Sequence, residues 1–388
     1  MSSGNNVELP GELCSLCPKL CRFACPVAGA TADEGATPTA MFGGLQMADS
    51  EQLSWQAAAD NLARCTGCAA CTSPCEFDLD IPAMVHLGRA LAWERGIAPD
   101  GARQFHGRCL EHGHPFGASL DRALEPFADD LDFQPKGRVL FWPGCRALAE
   151  RPAQVAGTLD LLRRLGADHV SLPSRDDVPD CCGGALRSIG DRPGLQSNAS
   201  GLHQFFNRQR TWVTASSTCL DTVSRSYPQE GLRINAELLH LAEYLLFFRA
   251  RLASMGREAA RRRTAARLPA ISVRVHDACG LQRRLAKGPL VHEVVAVLCG
   301  QPAPSLAASP GRTHCCGAGD FFDCREPARA QAVGAWAARS QPAAPGSWIV
   351  TGDSDCEQAL QAQYPNCEVM GLSTLILRWI DDEQAEVD

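Results

Sequence analysis

Lysine is nearly absent. Three residues (Lys19, Lys136 and Lys287) stand against 34 arginines, an imbalance we read as base bias in the coding sequence rather than function. Long apolar runs are missing too: the longest candidate, 238–248, is interrupted by His240 and Glu243 and is too short to span a bilayer. The opening residues "MSSGNNVELPGEL" have neither the basic start nor the apolar stretch of a secretory signal, so a cytoplasmic location is expected. Net charge is −7, with no basic signal beyond one connector segment, which argues against a nucleic-acid partner. There is no G-x-G-x-x-G fingerprint and no phosphate loop, so no flavin or nicotinamide site is expected.

What the chain does have is cysteine. Its 388 residues, 45% of them hydrophobic, leave room for two or three ordinary domains, yet they include twenty cysteines. In a reducing compartment that number points to metal ligation, because thiolates persist there and disulfides do not.

Residues 14–26 read "CSLCPKLCRFACP" and residues 65–75 read "CTGCAACTSPC". The second run is C-x₂-C-x₂-C-x₃-C, the bacterial ferredoxin spacing. The first has one extra residue before its third cysteine. In such runs three close thiolates hold one cluster and the fourth reaches the neighbouring one. That logic assigns Cys14, Cys17, Cys21 and Cys75 to a first [4Fe–4S] cluster, and Cys65, Cys68, Cys71 and Cys25 to a second. The competing assignment, a pair of structural zinc sites, uses fewer cysteines than are present. Between the runs, "SEQLSWQAAADNLARC" carries apolar residues at helical spacing behind a serine start. "DIPAMVHLGRALAWERG" (80–96) predicts a closing helix, with Pro82 in its first turn and Gly96 as its stop. Together these predict a helical two-cluster domain over 1–98.

The rest of the chain repeats itself. Cys145, Cys181 and Cys182 recur 134 residues later as Cys279, Cys315 and Cys316, and Cys219 recurs 137 residues later as Cys356. "VLFWPGC" corresponds to "VRVHDAC", and "WVTASSTC" to "IVTGDSDC". Two lobes are therefore predicted at 137–248 and 271–380, each alternating strands with helices such as "GTLDLLRRLGA", followed by the strand "HVSLP". An open parallel sheet gathers ligands beyond the carboxyl ends of its strands. Each lobe should thus bring its four cysteines to one edge, with the glycine of "CCG" allowing a left-handed turn behind the doubled pair. The doubled cysteines read as ligands of one or two further metal centres.

In these features the chain resembles the CCG-domain iron–sulfur family, which includes heterodisulfide reductase subunits and the iron–sulfur subunit of glycolate oxidase. The resemblance runs through nearly the whole chain in the same order and rests on sixteen cysteines. It implies an α + α/β architecture: a helical two-cluster ferredoxin domain, a linker at 99–136, two duplicated CCG lobes joined by a connector at 249–270, and an acidic tail at 381–388. The family motif is C…CCG…C-x-x-C, but Ser216 and Asp353 stand where the penultimate cysteine belongs. The resemblance implies a noncubane cluster when five cysteines are present. Four thiolates per lobe would instead hold a cubane, with Ser216 or Asp353 nearby or as an oxygen ligand; the second lobe could also be a degenerate copy holding zinc or nothing. "HGHPFG" (112–117) resembles the family's polar turn, which makes His106, Cys109, His112 and His114 a loop rather than a metal site. Cys299 reads as core, and Cys324, Cys367 and Cys109 as bystanders.

An electron-transfer subunit follows from these expectations. It would relay electrons between a flavoprotein dehydrogenase, or an electron-transfer flavoprotein, and a downstream acceptor. The alternatives are a catalytic subunit that reduces a disulfide at a CCG-bound cluster, and a non-redox assembly protein stabilised by metals. "RARLASMGREAARRRTAAR" (249–267) reads as a solvated connector, with docking to an acidic partner or to an anionic membrane surface as the competing role.

Overall fold

The computed structural model describes residue 14, residues 17–117, residue 120, and residues 139–167, 170–173 and 181–381. The acidic tail beyond 381 and the linker at 121–136 lie outside the described residues. The architecture is mixed: helices surround two small parallel sheets.

The N-terminal part is helical. Helix Trp55–Ala63 starts where Ser54 accepts a hydrogen bond from the Ala57 N–H, so the serine supplies one of the acceptors that a helix start lacks. Helix Ile81–Glu94 is capped in the same way by Asp80, carries a proline in its first turn, and ends before Gly96, whose φ is +71°. These helices and Pro38–Asp49 close a core of Met41, Phe42, Leu45, Leu62, Ile81 and Val85.

The first sheet contains β1 (Val139–Trp142), β2 (Val170–Ser171), β3 (Thr211–Thr214) and β4 (Glu237–His240), in the order β2-β1-β3-β4 with every pair parallel. The second contains β5 (Val273–His276), β6 (Trp348–Thr351) and β7 (Glu368–Gly371), in the order β5-β6-β7 and also parallel. Beyond β5, Val275 makes an isolated parallel bridge to Ser305, as Leu140 of β1 pairs with Ser171. Both β3 and β6 are fully buried, as strands covered by helices on both faces must be. One continuous core runs through both sheets, with Trp212, Tyr227, Phe141 and Phe206 among its largest buried side chains.

Two segments differ from expectation. The chain after residue 98 is not all loop: helix Asp100–His112 carries His106, Cys109 and His112, and the turn begins only at Gly113 (φ +74°). Its small and aromatic positions Ala102, Phe105 and Cys109 face the core, which provides the burial that a solvated loop would not have. The arginine-rich connector is likewise a packed helix, Arg249–Ala265. It buries Leu252, Gly256 and Ala259 against helix Gly288–Cys299, so closely that a Cβ on Gly256 would run into the Leu298 carbonyl. Its arginines lie mainly on the outer face, with Arg263 tucked under against Pro269 O at 3.1 Å.

Candidate metal centres

Strand ends set the sulfur positions. Cys145 follows β1 and Cys279 follows β5, each a few residues past the carboxyl end of its strand; Cys219 and Cys356 follow β3 and β6 in the same way. The doubled pairs arrive on loops that need a backbone most residues avoid. Gly183 has φ +86° and Gly317 has φ +98°. A Cβ at Gly183 would lie 2.8 Å from Leu195 Cδ1, and one at Gly317 would strike the Ala330 carbonyl.

In the first lobe Cys182 Sγ donates to Cys219 Sγ at 3.4 Å, and the Cys145, Cys181 and Cys182 thiols interact as neighbours. Interaction with Cys181, and for Cys182 also with Cys219, followed by burial, pushes the Cys145 and Cys182 thiols well up, while Cys145 and Cys182 hold Cys181 down against burial. The second lobe repeats the arrangement: Cys279 and Cys316 interact with Cys315, and Cys316 with Cys356. Interaction with Cys279 holds Cys315 down; Cys356, despite its interaction with Cys316, is carried by burial to about 12.

The crossed spacing expects two groups among the N-terminal cysteines. Cys14, Cys17, Cys21 and Cys75 line one cavity of ≈ 410 Å³ with Pro18, Phe42 and other side chains. Burial, then repulsion from Cys17, Cys21 and Cys75, raises the Cys14 thiol. Cys71 is raised by burial and then by Cys68, Cys65, Cys25 and Cys21, so the other three cysteines of the expected second group and one of the first lie within its electrostatic reach; Cys25 is pushed up to about 12 by burial. The Gly67 N–H donates to Cys65 Sγ at 3.3 Å, a bond that would also steady a thiolate. Among the described residues no three His, Cys, Asp or Glu side chains converge as ligands of a single ion would. The sulfurs are grouped, but no mononuclear site is formed.

The second group does not stand alone. Cys68 packs with Cys279 and Cys315 in one cluster, and its interaction with Cys315, ahead of burial, raises the Cys68 thiol, so an N-terminal sulfur meets the second lobe. Val27, Cys68, Cys279, Cys315, Phe322 and Val333 form one small core across this junction. Gly29 makes room for Trp336, which packs on His314 with ring centroids 4.3 Å apart.

Ser216 and Asp353 lie at the contact between the lobes. Ser216 Oγ accepts from the Cys219 N–H at 3.2 Å and donates to Asp355 Oδ2 at 3.1 Å. Asp353 takes the Ser217 hydroxyl and N–H, and burial beside Asp355 raises its carboxyl to about 7. Both side chains are thus engaged by protein groups. His106 pairs with Asp191 at 3.1 Å, His114 accepts from the Phe116 N–H at 3.1 Å, and His112 lies 3.6 Å from Glu111, so these histidines do not converge with Cys109 on a common point.

Spacing gave no hint of the buried charges around these sulfurs. Asp320, with φ +53°, accepts from Arg89 at 2.7 Å and pairs with His86 at 3.0 Å, joining helix Ile81–Glu94 to the second lobe. Arg89 also donates to the Cys65 carbonyl at 2.7 Å. Arg325 reaches Ala63 O and, at 3.4 Å, Cys65 O, while its Nε has no hydrogen-bond partner. Arg283, set by the π-helical turn Gly280–Arg284, donates to Cys68 O and Thr313 O, both at 2.8 Å; its Nη2 is also orphaned. A buried Arg325 that comes no nearer than 3.7 Å to Asp320, beside a half-buried Arg283, calls for a nearby anion, which thiolates holding an iron–sulfur cluster would supply. A sequence signal did exist: Arg89 interrupts the apolar face of "MVHLGRALAW" and is only 5% exposed.

Burial also lowers His240 and His276 to about 4. Free histidine titrates near 6.5, so the unfolded chain takes up these protons first and stability falls as pH drops from about 6.5 to about 4. Each residue contributes about 3 kcal/mol across that window. Urea midpoints measured from pH 8 to pH 4 should fall mainly below pH 6.5, and less steeply in His276→Leu; a flat profile would contradict the burial argument.

Residues 273–361 match the family model described as the CCG cysteine-rich domain. No curated protein and no solved structure matches the chain. No helix of the described residues is long and apolar enough to cross a membrane. The match and the twenty cysteines together indicate an iron–sulfur protein.

Proposed function

We propose that the protein is an electron-transfer subunit, with [4Fe–4S] clusters held by Cys14, Cys17, Cys21 and Cys75 and by Cys65, Cys68, Cys71 and Cys25. Further iron–sulfur sites lie at Cys145, Cys181, Cys182 and Cys219 and at Cys279, Cys315, Cys316 and Cys356, on two lobes that arose by duplication of one unit. Such clusters store and pass single electrons; the protein sets their spacing, burial and hydrogen bonding. The observation that carries the proposal is the packing of Cys68 with Cys279 and Cys315 in one small buried core, which sets an N-terminal cysteine beside two lobe cysteines. The half-buried first group lies farther out than the fully buried lobe cysteines and suits exchange with a flavoprotein donor. The downstream acceptor would then be served from the lobes.

A second function, reduction of a small disulfide, draws support from a cleft of ≈ 490 Å³ between the lobes and the N-terminal part. Cys279, Cys356, Ser217 and Asp353 are among its lining residues. One anaerobic preparation tests both. About twelve to sixteen irons with matching sulfide, and reduced-state EPR signals, are expected if the lobes are loaded, on four irons per cluster. Reoxidation of the reduced protein by a small disulfide would favour the second function; a colourless, iron-poor protein would end both.

A further inference from the structure

The orphaned arginines have an electrical consequence. Arg283 and Arg325 approach the loop of Cys65 and Cys68 from the second lobe, and both donate to carbonyls of cysteines in the second group. Among the described residues neither has a carboxylate within hydrogen-bond distance: Arg325 makes only a long ion pair with Asp320 at 3.7 Å, and Asp320 is already engaged by Arg89 and His86. Arg325 is buried and Arg283 half-buried, so water screens their charge weakly. The first group has a different environment. Lys19 and Arg22 beside it are exposed, Arg22 is paired with Glu34, and Glu76 adds a negative charge.

Reduction adds one negative charge to a cluster. A fixed cation nearby favours the reduced state, and the effect falls with distance and solvent screening. Resting on the electron-transfer proposal above, we infer that Arg283 and Arg325 act as positioning charges that raise the reduction potential of the second group's cluster above that of the first. An electron entering at the exposed end is thereby drawn inward toward Cys315. One electron leaves the first cluster and one arrives at the second, so the step balances without a further reactant.

The test is a potentiometric EPR titration of the full anaerobic chain. The signal lost in Cys75→Ser identifies the first cluster. In Arg283→Gln the second cluster should become harder to reduce, with the exchange equilibrium between the two clusters shifted about tenfold, or about 59 mV for one electron. Arg283→Lys should restore it. A second readout needs no cluster. In iron-free protein Arg325→Met removes a buried charge whose carboxylate contact among the described residues is only the 3.7 Å approach to Asp320, and should raise the urea midpoint, whereas in loaded protein it removes a counter-charge and should lower it. Equal shifts of both clusters in Arg283→Gln, or none, would overturn the inference, as would an Arg325→Met effect of one sign in both forms. Absence of iron and sulfide from the wild type would instead overturn the proposal beneath it.

Discussion

Cys75→Ser is expected to abolish one of the two N-terminal cluster signals and to remove about four irons, while the other signal persists. The effect is large because a cubane with three thiolates lacks a ligand to one iron. Its informative feature is the direction. Cys75 is four residues from Cys71 in the same run, yet it lines the cavity of Cys14, Cys17 and Cys21. The signal lost should therefore match the one lost in Cys17→Ser and differ from the one lost in Cys68→Ser. Cys25→Ser should show the converse, because Cys25 shares the neighbourhood of Cys65, Cys68 and Cys71. EPR of the four variants at equal protein concentration makes the comparison. If Cys75→Ser and Cys68→Ser lose the same signal, each run holds its own cluster and the crossed grouping is wrong.

That Cys75 lines the cavity of Cys14, Cys17 and Cys21 could be anticipated because metal chemistry imposes spacing. A thiolate run is a local pattern, and the offsets of 134 and 137 residues pointed to two stretches, each of which carries a small parallel sheet. Helix Ile81–Glu94 was legible for a related reason: Asp80, Pro82 and Gly96 mark its ends by short-range backbone physics. Strands β4 and β7 were not. Each is four residues long and runs directly into a helix, Leu241–Leu246 or Leu372–Asp381, so no turn residue separates two apolar stretches of different period. Helix Asp100–His112 was hidden by its histidines and glycines, which look solvated until Phe105 and Cys109 are seen to be buried. The charged junction was the least legible part. Arg89 meets Asp320 only in three dimensions, and no spacing rule links two residues 231 positions apart.

That junction yields the second large effect. Asp320→Asn keeps the side-chain shape and suits the left-handed backbone, which asparagine tolerates, so the change is one of charge alone. Arg89, 5% exposed, loses its only carboxylate at hydrogen-bond distance among the described residues. Removing one member of a buried ion pair costs about 3–5 kcal/mol, because the remaining charge stays buried. The loss should concentrate at the joint between helix Ile81–Glu94 and the second lobe, since Asp320 is the acceptor there for both Arg89 and His86. Limited proteolysis should then release the N-terminal part before the lobes are cut, and the urea midpoint should fall with it. The electrical sign is opposite to that of Arg283→Gln. Neutralising Asp320 leaves one more uncompensated cation beside Cys65, so the second cluster should become easier to reduce even as the fold weakens. A merely structural role would lower stability and leave that potential where it was. A fall in stability without the upward shift would assign Asp320 to the architecture alone.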